Sequence, residues 1–316
     1  MSLFRKLLIP TLVVIPLLCA EIILRVAETR LSGNVAHIKA IPALAETLGS
    51  KQGAKVLLLG NSLTNNGFDP DLLRDRLKEQ GHNVSVEKIT PDATAIWDWL
   101  FLYDNVIGHH LSEPVTVVVG FAWNIVSDQA RESLTRLGAF YANFGNLYEF
   151  GRARGLTVDE FSEFTLAKVS RLFAHRERIR NSILSYIIPD YQSFAQESDP
   201  RQAAQVRIDD QSPGADVSST YEALYRLSEL VNAKGGTLVL VAMPVIDPYE
   251  IAQGMDTTAE EGRITLLDFR VLSGLTRADF EDNMHLGASG REKATKYLGE
   301  ALAPKIHEAS MRDALQ

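Results

Sequence analysis

Residues 55–64 read Lys-Val-Leu-Leu-Leu-Gly-Asn-Ser-Leu-Thr, a short apolar run that leads into glycine, asparagine and serine. The run Lys55–Leu59 is typical of a buried parallel strand, and Gly60 permits a sharp turn after it. Downstream, Asp69-Pro70 supplies the cap and the first-turn proline of a helix that we predict to extend to about residue 78. A strand that passes through a turn into a helix indicates an α/β fold.

The same alternation recurs along the chain. Further strands are predicted at Asn83–Ile89, Val115–Val119 and Thr237–Ala242. Further helices are predicted at Ala95–Ile107, Tyr221–Ala233 and Ser289–Leu302. Strands that alternate with helices predict a parallel sheet covered by helices on both faces.

A segment from about Val126 to Ser218 interrupts this alternation. Its apolar residues recur at helical spacing, which predicts a helical insertion. They are Phe161, Phe164, Val169, Leu172, Phe173, Ile179, Ile183 and Ile187. Within the segment, residues 195–217 are rich in Gln, Asp, Ser and Pro and have no apolar period, so we expect a mobile loop there.

Composition excludes several classes of protein. The chain has 316 residues with a net charge of −8, and this acidic balance argues against broad nucleic-acid binding, which needs a basic face. Its single cysteine, Cys19, excludes an internal disulfide framework and a cysteine-based zinc cluster. We expect no metal and no cofactor.

The N-terminal 29 residues are predicted to be a membrane anchor. Arg5 and Lys6 precede the run Leu7–Leu24, which is 18 residues long and would cover about 27 Å as a helix, close to the thickness of a bilayer core. A cleaved signal peptide and a lipoprotein signal at Cys19 are the alternatives. Cleavage needs two small residues in an A-x-A pattern, and Leu18-Cys19-Ala20 supplies only one, which favours an uncleaved anchor.

An anchor in this orientation decides where the rest of the chain lies. The positive-inside rule keeps Arg5 and Lys6 in the cytoplasm, so the remainder is expected on the extracytoplasmic, periplasmic side of the inner membrane as a single-pass protein. Residues 30–53 are predicted to be a stalk or linker, and residues 54–310 the α/β domain with its insertion at about 126–218.

Two short motifs carry the chemistry. Ser62 follows the first strand at the entrance of a helix, where exposed N–H groups and the positive end of the helix dipole can stabilise an oxyanion. Asp282 and His285 stand three residues apart just before the last helix. A serine hydroxyl becomes a good nucleophile when a histidine removes its proton, and an acid must orient that imidazole. The three residues therefore form a candidate catalytic triad.

These motifs resemble those of the SGNH, or GDSL-type, hydrolases. The resemblance lies in Gly60-Asn61-Ser62-Leu63 after a strand, and in Asp282-x-x-His285-Leu286 with Gly290 before the C-terminal helix. It implies a flavodoxin-like three-layer α/β/α fold and esterase-type acyl transfer. Ser62 would be the nucleophile, His285 the base and Asp282 its orienting partner. Asn61 stands where the family has aspartate, which is not a proton carrier there.

The sequence departs from the family in the two blocks that complete the oxyanion hole, which Ser62 begins with its own N–H. The family's second block has a glycine, whereas residues 90–94 here have none, so Ala93 or Thr94 would have to present that N–H. The third block is glycine, one residue, then asparagine, whereas Gly120 and Asn124 here are separated by three residues. Asn124 is the candidate for the side-chain donor.

Together with an anchor, the resemblance implies a membrane-bound serine esterase or O-acyl(acetyl)transferase that acts on an ester or acylated glycan of the envelope. Its expected partners are this substrate, the membrane and the machinery that assembles envelope polymers, and no nucleic acid. The alternative is a catalytically degenerate SGNH-like protein that binds glycan or organises an assembly, which the altered second and third blocks favour.

Several other acidic, histidine, tryptophan and basic residues are expected to have roles in packing or at the surface and not in catalysis. Asp279 and Glu281 are expected to be solvated loop acids, and the His109-His110 pair a helix end and not a metal site. Trp97, Trp99 and Trp123 are expected to pack between helix and sheet, with a carbohydrate-binding platform as the alternative. The basic residues of the insertion are expected to form a solvated helix face, with lipid phosphates or an anionic polymer as the alternative partner. They are Lys168, Arg171, Arg176, Arg178 and Arg180.

Overall fold

The computed structural model describes residues 3–130, 132–189, 191, 220–251, 255 and 264–313. Within the terminal helices it leaves the side chains of residues 3–11, 13, 31 and 307–313 undescribed. The loop predicted at residues 195–217 lies outside the described residues.

A parallel sheet of five strands forms the centre of the fold, in the order β2-β1-β3-β4-β5. The strands are β1 (Ala54–Leu59), β2 (Val84–Ile89), β3 (Val115–Phe121), β4 (Thr237–Ala242) and β5 (Thr265–Asp268). The first four were predicted to within two residues at each end. The sequence analysis missed β5, because its four residues are too few to show a hydrophobic period.

The strand order fixes where a site can form. The neighbours of β1 are β2 on one side and β3 on the other, so the order of the chain reverses at β1. All strands are parallel, and therefore the loops that follow β1, β2 and β3 leave the sheet at the same edge. Such a reversal point is where open α/β sheets bind ligands.

The helices follow the predicted alternation. They are α1 (Leu3–Leu31), α2 (Gly33–Ser50), α3 (Ser62–Gly67), α4 (Pro70–Glu79), α5 (Ile96–Leu102), α6 (Gly108–His110), α7 (Leu134–Arg136), α8 (Phe144–Ala153), α9 (Val158–Val169), α10 (Arg171–Ala174), α11 (Arg176–Ile187), α12 (Glu222–Asn232) and α13 (Ala288–Asp313). Between α5 and α6, and again after α7, the chain forms a π-helical turn. The protein is therefore an α/β protein, and the predicted insertion is helical in its described part.

Helix α5 contributes some of the largest side chains of the core. Trp97 and Trp99 are 1% and 0% exposed, so they pack inside the protein and provide no platform for a sugar. The Nε1–H of Trp99 donates a hydrogen bond to Thr94 Oγ1 at 2.8 Å, and that of Trp97 donates to the Asp128 carbonyl at 3.3 Å. The packing interpretation of these two residues is confirmed.

The segment predicted to be a helical stalk and linker, residues 30–53, contains the helix α2, but this helix is packed and not a stalk. Its Ile38, Ile41, Ala45 and Leu48 are buried, and the spacing of these residues places them on one face of the helix. Polar residues and Pro42 between them masked this period in the sequence. The segment is a packed helix that contributes to the core.

The chain divides into two compact units. The helical unit comprises Met1–Ala36 and Leu134–Gly214, and the sheet unit comprises His37–Ser133 and Ala215–Gln316. Within the helical unit, the buried Glu28 carboxylate lies 3.6 Å from Arg171 Nε and 3.2 Å from His175 Nε2. Arg171 is thus part of a buried ion pair, which differs from the solvated basic face that the sequence predicted.

In the described part of the chain, no helix is both long and apolar enough to cross a membrane. The predicted span Leu7–Leu24 falls in α1, and the side chains of residues 7–11 and 13 are among those not described.

Candidate active site

Ser62 stands at the first position of α3, directly after the turn that ends β1. Asn61 caps this helix, because its Oδ1 accepts a hydrogen bond from the Leu63 N–H at 2.9 Å. At Gly60 a Cβ would collide with Thr64 Oγ1, so only glycine allows the strand to turn this closely against its own helix. The turn therefore holds the Ser62 hydroxyl and N–H at the carboxyl edge of the sheet.

Asp282 and His285 lie in a loop that leads into α13. The loop is closed at its base by a bridge between Phe280 and Leu286 and by the hydrogen bond from the Glu281 N–H to the His285 carbonyl, at 2.9 Å. Oδ1 of Asp282 accepts hydrogen bonds from the backbone N–H groups of Met284 and His285, at 2.8 and 2.7 Å. One carboxylate oxygen of Asp282 thus stabilises the loop backbone, and the other is available to the imidazole.

A continuous chain of hydrogen bonds joins the three predicted residues. His285 Nδ1 lies 2.7 Å from Asp282 Oδ2, and His285 Nε2 lies 2.9 Å from Ser62 Oγ. A carboxylate only accepts hydrogen bonds, so Nδ1 carries the proton and Nε2 accepts from the serine hydroxyl. This is the geometry in which an imidazole can remove the serine proton.

The charge of Asp282 suits an orienting role. Partial burial raises the pKa of this carboxyl, but hydrogen bonds from the His285 ring and from the Met284 and His285 N–H groups outweigh it and keep the pKa below its usual value. Asp282 is therefore ionised at neutral pH, and a negative carboxylate stabilises an imidazolium that forms beside it.

Asp279 is not the solvated loop acid that the sequence predicted. It is 2% exposed, and its carboxylate accepts hydrogen bonds from Lys293 Nζ at 2.8 Å, from Ser289 Oγ at 2.6 Å and from the Thr276 N–H at 2.7 Å. These bonds, that of Lys293 first, hold its pKa well below the usual value. Asp279 ties the start of the histidine loop to α13. Glu281 is exposed as predicted.

The loop after β2 lies beside the serine turn. The Nδ2 of Asn61 donates a hydrogen bond to the Thr94 carbonyl at 2.9 Å, which an aspartate at this position could not do. Thr94 is buried, and its hydroxyl donates to the carbonyls of Gly60 and Pro91. Ala93 adopts a φ of +52°, a left-handed conformation that favours glycine. Ala93 therefore has a backbone conformation that glycine usually adopts, and the roles of Ala93 and Thr94 in an oxyanion hole stay predictions.

Asn124, the predicted side-chain donor, lies in the turn after β3. The residue is exposed, its carbonyl accepts a hydrogen bond from the Ser127 N–H at 2.9 Å, and the preceding Trp123 has a φ of +52°. The turn thus starts at the same edge of the sheet as the Ser62 turn. The role of Asn124 in an oxyanion hole stays a prediction.

His37 of α2 contacts the loop after β2, and this contact was not predicted from the sequence. Its Nε2 accepts a hydrogen bond from the Thr90 N–H at 3.1 Å, at the start of the loop that carries Ala93 and Thr94. Burial lowers the pKa of His37, and the effect of Lys88 in the same direction is opposed by Asp92. The residues are 53 positions apart, so no local pattern could indicate the contact.

Among the residues with described positions, no group of three or more His, Cys, Asp or Glu side chains could hold a metal ion. His109 and His110 are exposed at the end of the short helix α6.

No protein-family model matches the chain, and no curated protein matches it. Among solved structures, the chain is similar to the lipase/acylhydrolase from Enterococcus faecalis, with a TM-score of 0.39 and 12% sequence identity over 80% of this chain and 97% of that chain. A likeness of this size carries no inference about activity. The geometry of Ser62, His285 and Asp282 is therefore what bears on function.

Proposed function

We propose that this protein is a serine esterase or O-acyl(acetyl)transferase with Ser62 as nucleophile, His285 as general base and acid, and Asp282 as the orienting carboxylate. The observation that carries the proposal is the hydrogen-bonded chain from Ser62 Oγ through both ring nitrogens of His285 to Asp282. The proposal includes membership of the SGNH hydrolases and their three-layer flavodoxin-like arrangement.

In the proposed reaction, His285 Nε2 takes the proton of the Ser62 hydroxyl while Oγ attacks the ester carbonyl. The tetrahedral intermediate collapses as Nε2 returns this proton to the leaving alcohol, and an acyl-enzyme remains on Ser62. A second hydroxyl then attacks the acyl group and gives its proton to His285, which returns it to Ser62. Water as this acceptor gives hydrolysis, and a sugar hydroxyl gives acyl transfer.

The oxyanion hole is proposed to consist of the N–H of Ser62 with contributions from Ala93, Thr94 and Asn124. The Ser62 N–H belongs to the unpaired first turn of α3, where the helix dipole also favours negative charge. The left-handed backbone of Ala93 supports its place in this set, because glycine is the usual residue with this conformation. One such donor is worth about 2.7–4 kcal/mol of transition-state stabilisation.

The proposed substrate is an acylated glycan of the bacterial envelope, reached from the inner membrane through the N-terminal anchor. The anchor is supported by Arg5, Lys6 and the apolar run Leu7–Leu24, and by the exposure of Leu12, Ile15 and Leu18 on α1. The choice of glycan follows from the resemblance to anchored SGNH-like proteins that act on envelope polymers. A C-terminal reporter that is active only in the periplasm is the expected result. Activity only in the cytoplasm would contradict this location.

The nucleophile is tested by Ser62→Ala. We expect the variant to lose covalent labelling by a fluorophosphonate and to lose several orders of magnitude in turnover of a chromogenic acetyl ester, because no acyl-enzyme can form. Ser50→Ala is the matched control, since Ser50 is an exposed serine whose hydroxyl donates a hydrogen bond to the Thr47 carbonyl of its own helix.

Labelling that persists in a folded Ser62→Ala protein would assign the nucleophile to another residue. If the wild-type protein is folded but shows neither labelling nor turnover, the degenerate glycan-binding alternative is favoured.

A further inference from the structure

Exposed apolar side chains are concentrated in the helical unit. Of the twenty large apolar side chains that are exposed in the described part of the chain, eighteen belong to this unit, and the other two are Val271 and Tyr297. Those of α1 are Leu12, Val14, Ile15, Leu17, Leu18, Ile22, Ile23 and Val26. Those of the insertion are Phe144, Tyr148, Val158, Phe161, Leu166, Val169, Ile183, Tyr186, Ile187 and Ile188. The helical unit thus exposes more large apolar side chains than a protein surrounded only by water usually does.

Helix α9 is apolar on two sides. Phe164 and Ala167 are fully buried on its inner side, whereas Val158, Phe161 and Val169 are exposed on another side. The spacing of these three residues, three and then eight positions, places them on one face. Ser162 and Thr165 lie on the same face, so the face is mixed, but the outer face of an ordinary surface helix carries fewer large apolar side chains than this one.

The neighbouring helices show the same feature. On α8, Phe144 and Tyr148 are 65% and 69% exposed and stand one turn apart. On α11, Ile183 and Ile187 are likewise one turn apart, and Tyr186 is 93% exposed. Aromatic and aliphatic side chains in this mixture are typical of helices that lie in the interfacial region of a bilayer.

The insertion is attached to α1 at the far end of the apolar run. The Glu21 carboxylate accepts hydrogen bonds from the backbone N–H groups of Arg171 and Leu172, at 2.8 and 2.9 Å, and Arg25 Nη2 donates to the Val169 carbonyl at 2.8 Å. One turn further, Glu28 pairs with Arg171 and His175. If residues 7–24 cross the bilayer, these contacts hold α9 and α10 at the level of its surface.

Two positive charges of the insertion have acidic partners within the helical unit. Arg176 Nη2 lies 2.7 Å from Glu163 Oε1, and Arg171 is paired with Glu28. Ionisable groups in contact with lipid are generally paired in this way.

We infer that the helical insertion docks on the membrane surface, with the exposed apolar side chains of α8, α9 and α11 inserted among lipid headgroups and upper acyl chains beside α1. The inference rests on the membrane attachment in the proposed function, and adds a second lipid-binding element to the single N-terminal segment. A bilayer accepts apolar side chains from several helices without the shape complementarity that a protein partner needs.

The test uses the full chain with Cys19→Ala, so that a single new cysteine can carry an environment-sensitive nitrobenzoxadiazole dye. Tyr186→Cys and Val158→Cys probe the insertion. Val271→Cys is the matched control, because Val271 of the sheet unit is 93% exposed, as Tyr186 is. Each protein is reconstituted into vesicles of phosphatidylcholine and phosphatidylglycerol. We expect blue-shifted emission and quenching by doxyl-labelled lipid at positions 186 and 158, and neither at position 271.

Water-like emission at positions 186 and 158 in a protein that floats with the vesicles would overturn the inference and leave the anchor intact. A blue shift without lipid quenching would overturn it in favour of a protein partner or a second copy of the chain. A protein that does not float with vesicles would contradict both the anchor and the docking. Fluorophosphonate labelling of Ser62 reports the proposed chemistry separately in every case.

Discussion

Two aspartates of the histidine loop, three residues apart, have different surroundings. Asp282 is half-exposed and directs one oxygen at the His285 ring, whereas Asp279 is buried against Lys293 and Ser289. The first is placed to act on the imidazole, and the second to hold the loop against α13. Exchange of carboxylate for amide at the two positions should therefore produce two different defects.

We expect Asp282→Asn to reduce ester turnover by up to about 10⁴-fold with little change in melting temperature, because an amide favours the wrong imidazole tautomer. Asp279→Asn should lower the melting temperature, because an uncharged amide no longer forms an ion pair with Lys293. Its effect on turnover should be smaller, because it acts only through the order of the loop that carries His285. Turnover and thermal unfolding measured on both variants check this. A stable Asp279→Asn protein with the larger loss of turnover would reverse the assignment.

The backbone of Ala93 supports a second prediction. A left-handed conformation costs a residue other than glycine about 1–2 kcal/mol, and a β-branched residue tolerates it least. Ala93→Gly should therefore retain activity and stability, whereas Ala93→Val should lose both. Turnover and chemical denaturation of the two variants measure this. Equal behaviour of the two would show that the φ of Ala93 does not matter to the site.

At the scale of elements, α2 is joined to the loop after β2 through His37. The imidazole must be neutral to accept the Thr90 N–H, and burial already lowers its pKa. The unfolded chain therefore binds a proton more readily than the folded one. The stabilisation from His37 is complete above its ordinary pKa of 6.5 and is lost as the pH falls from there towards the lowered folded value.

We predict that in His37→Gln the free energy of unfolding depends less on pH in this range. The amide oxygen can accept the hydrogen bond from the Thr90 N–H, but the amide does not titrate. The free energy of unfolding of wild type and variant, measured between about pH 5 and pH 8, provides the comparison. The same slope in His37→Gln and wild type would exclude a contribution from His37.

Local patterns predicted most of the elements. The strands β1 and β4 are mostly apolar runs, and α4 is capped by Asp69, whose Oδ1 accepts hydrogen bonds from the Asp71 and Leu72 N–H groups. Such signals lie within a few residues, so they can be recognised without the fold. The packing of α2 was missed, because its buried face is interrupted by polar residues.

In the candidate site, too, residues in short motifs could be predicted, whereas contacts between distant residues could not. Ser62, Asp282 and His285 could be proposed from side-chain chemistry and short motifs. The burial of Asp279 depends on Lys293, 14 positions away on α13, and the contact of His37 with Thr90 spans 53 positions. These contacts arise from tertiary packing, which the sequence pattern does not encode locally.

At the scale of the whole molecule, the division into two units predicts separable unfolding. Glu28→Ala removes a buried carboxylate that lies between Arg171 and His175, and we expect this to destabilise the helical unit by more than the loss of an exposed ion pair would. We expect calorimetry to show a lower transition for the helical unit, while the sheet unit unfolds as before. Glu177→Ala is the control, because Glu177 is part of an exposed pair with Arg180, worth about 0–1 kcal/mol. A single transition that moves as a whole would contradict independent units.

The distance along the chain between Ser62 and His285 has a consequence for biosynthesis. The two residues are separated by 223 positions, so the ribosome makes His285 long after Ser62. At about 5–20 residues per second, roughly 11–45 s pass between the synthesis of the serine and that of the histidine. Throughout this interval the nascent protein carries a serine without a base. An enzyme assembled in this order would be inert towards esters of the cell that makes it until the segment with His285 has been made and has folded.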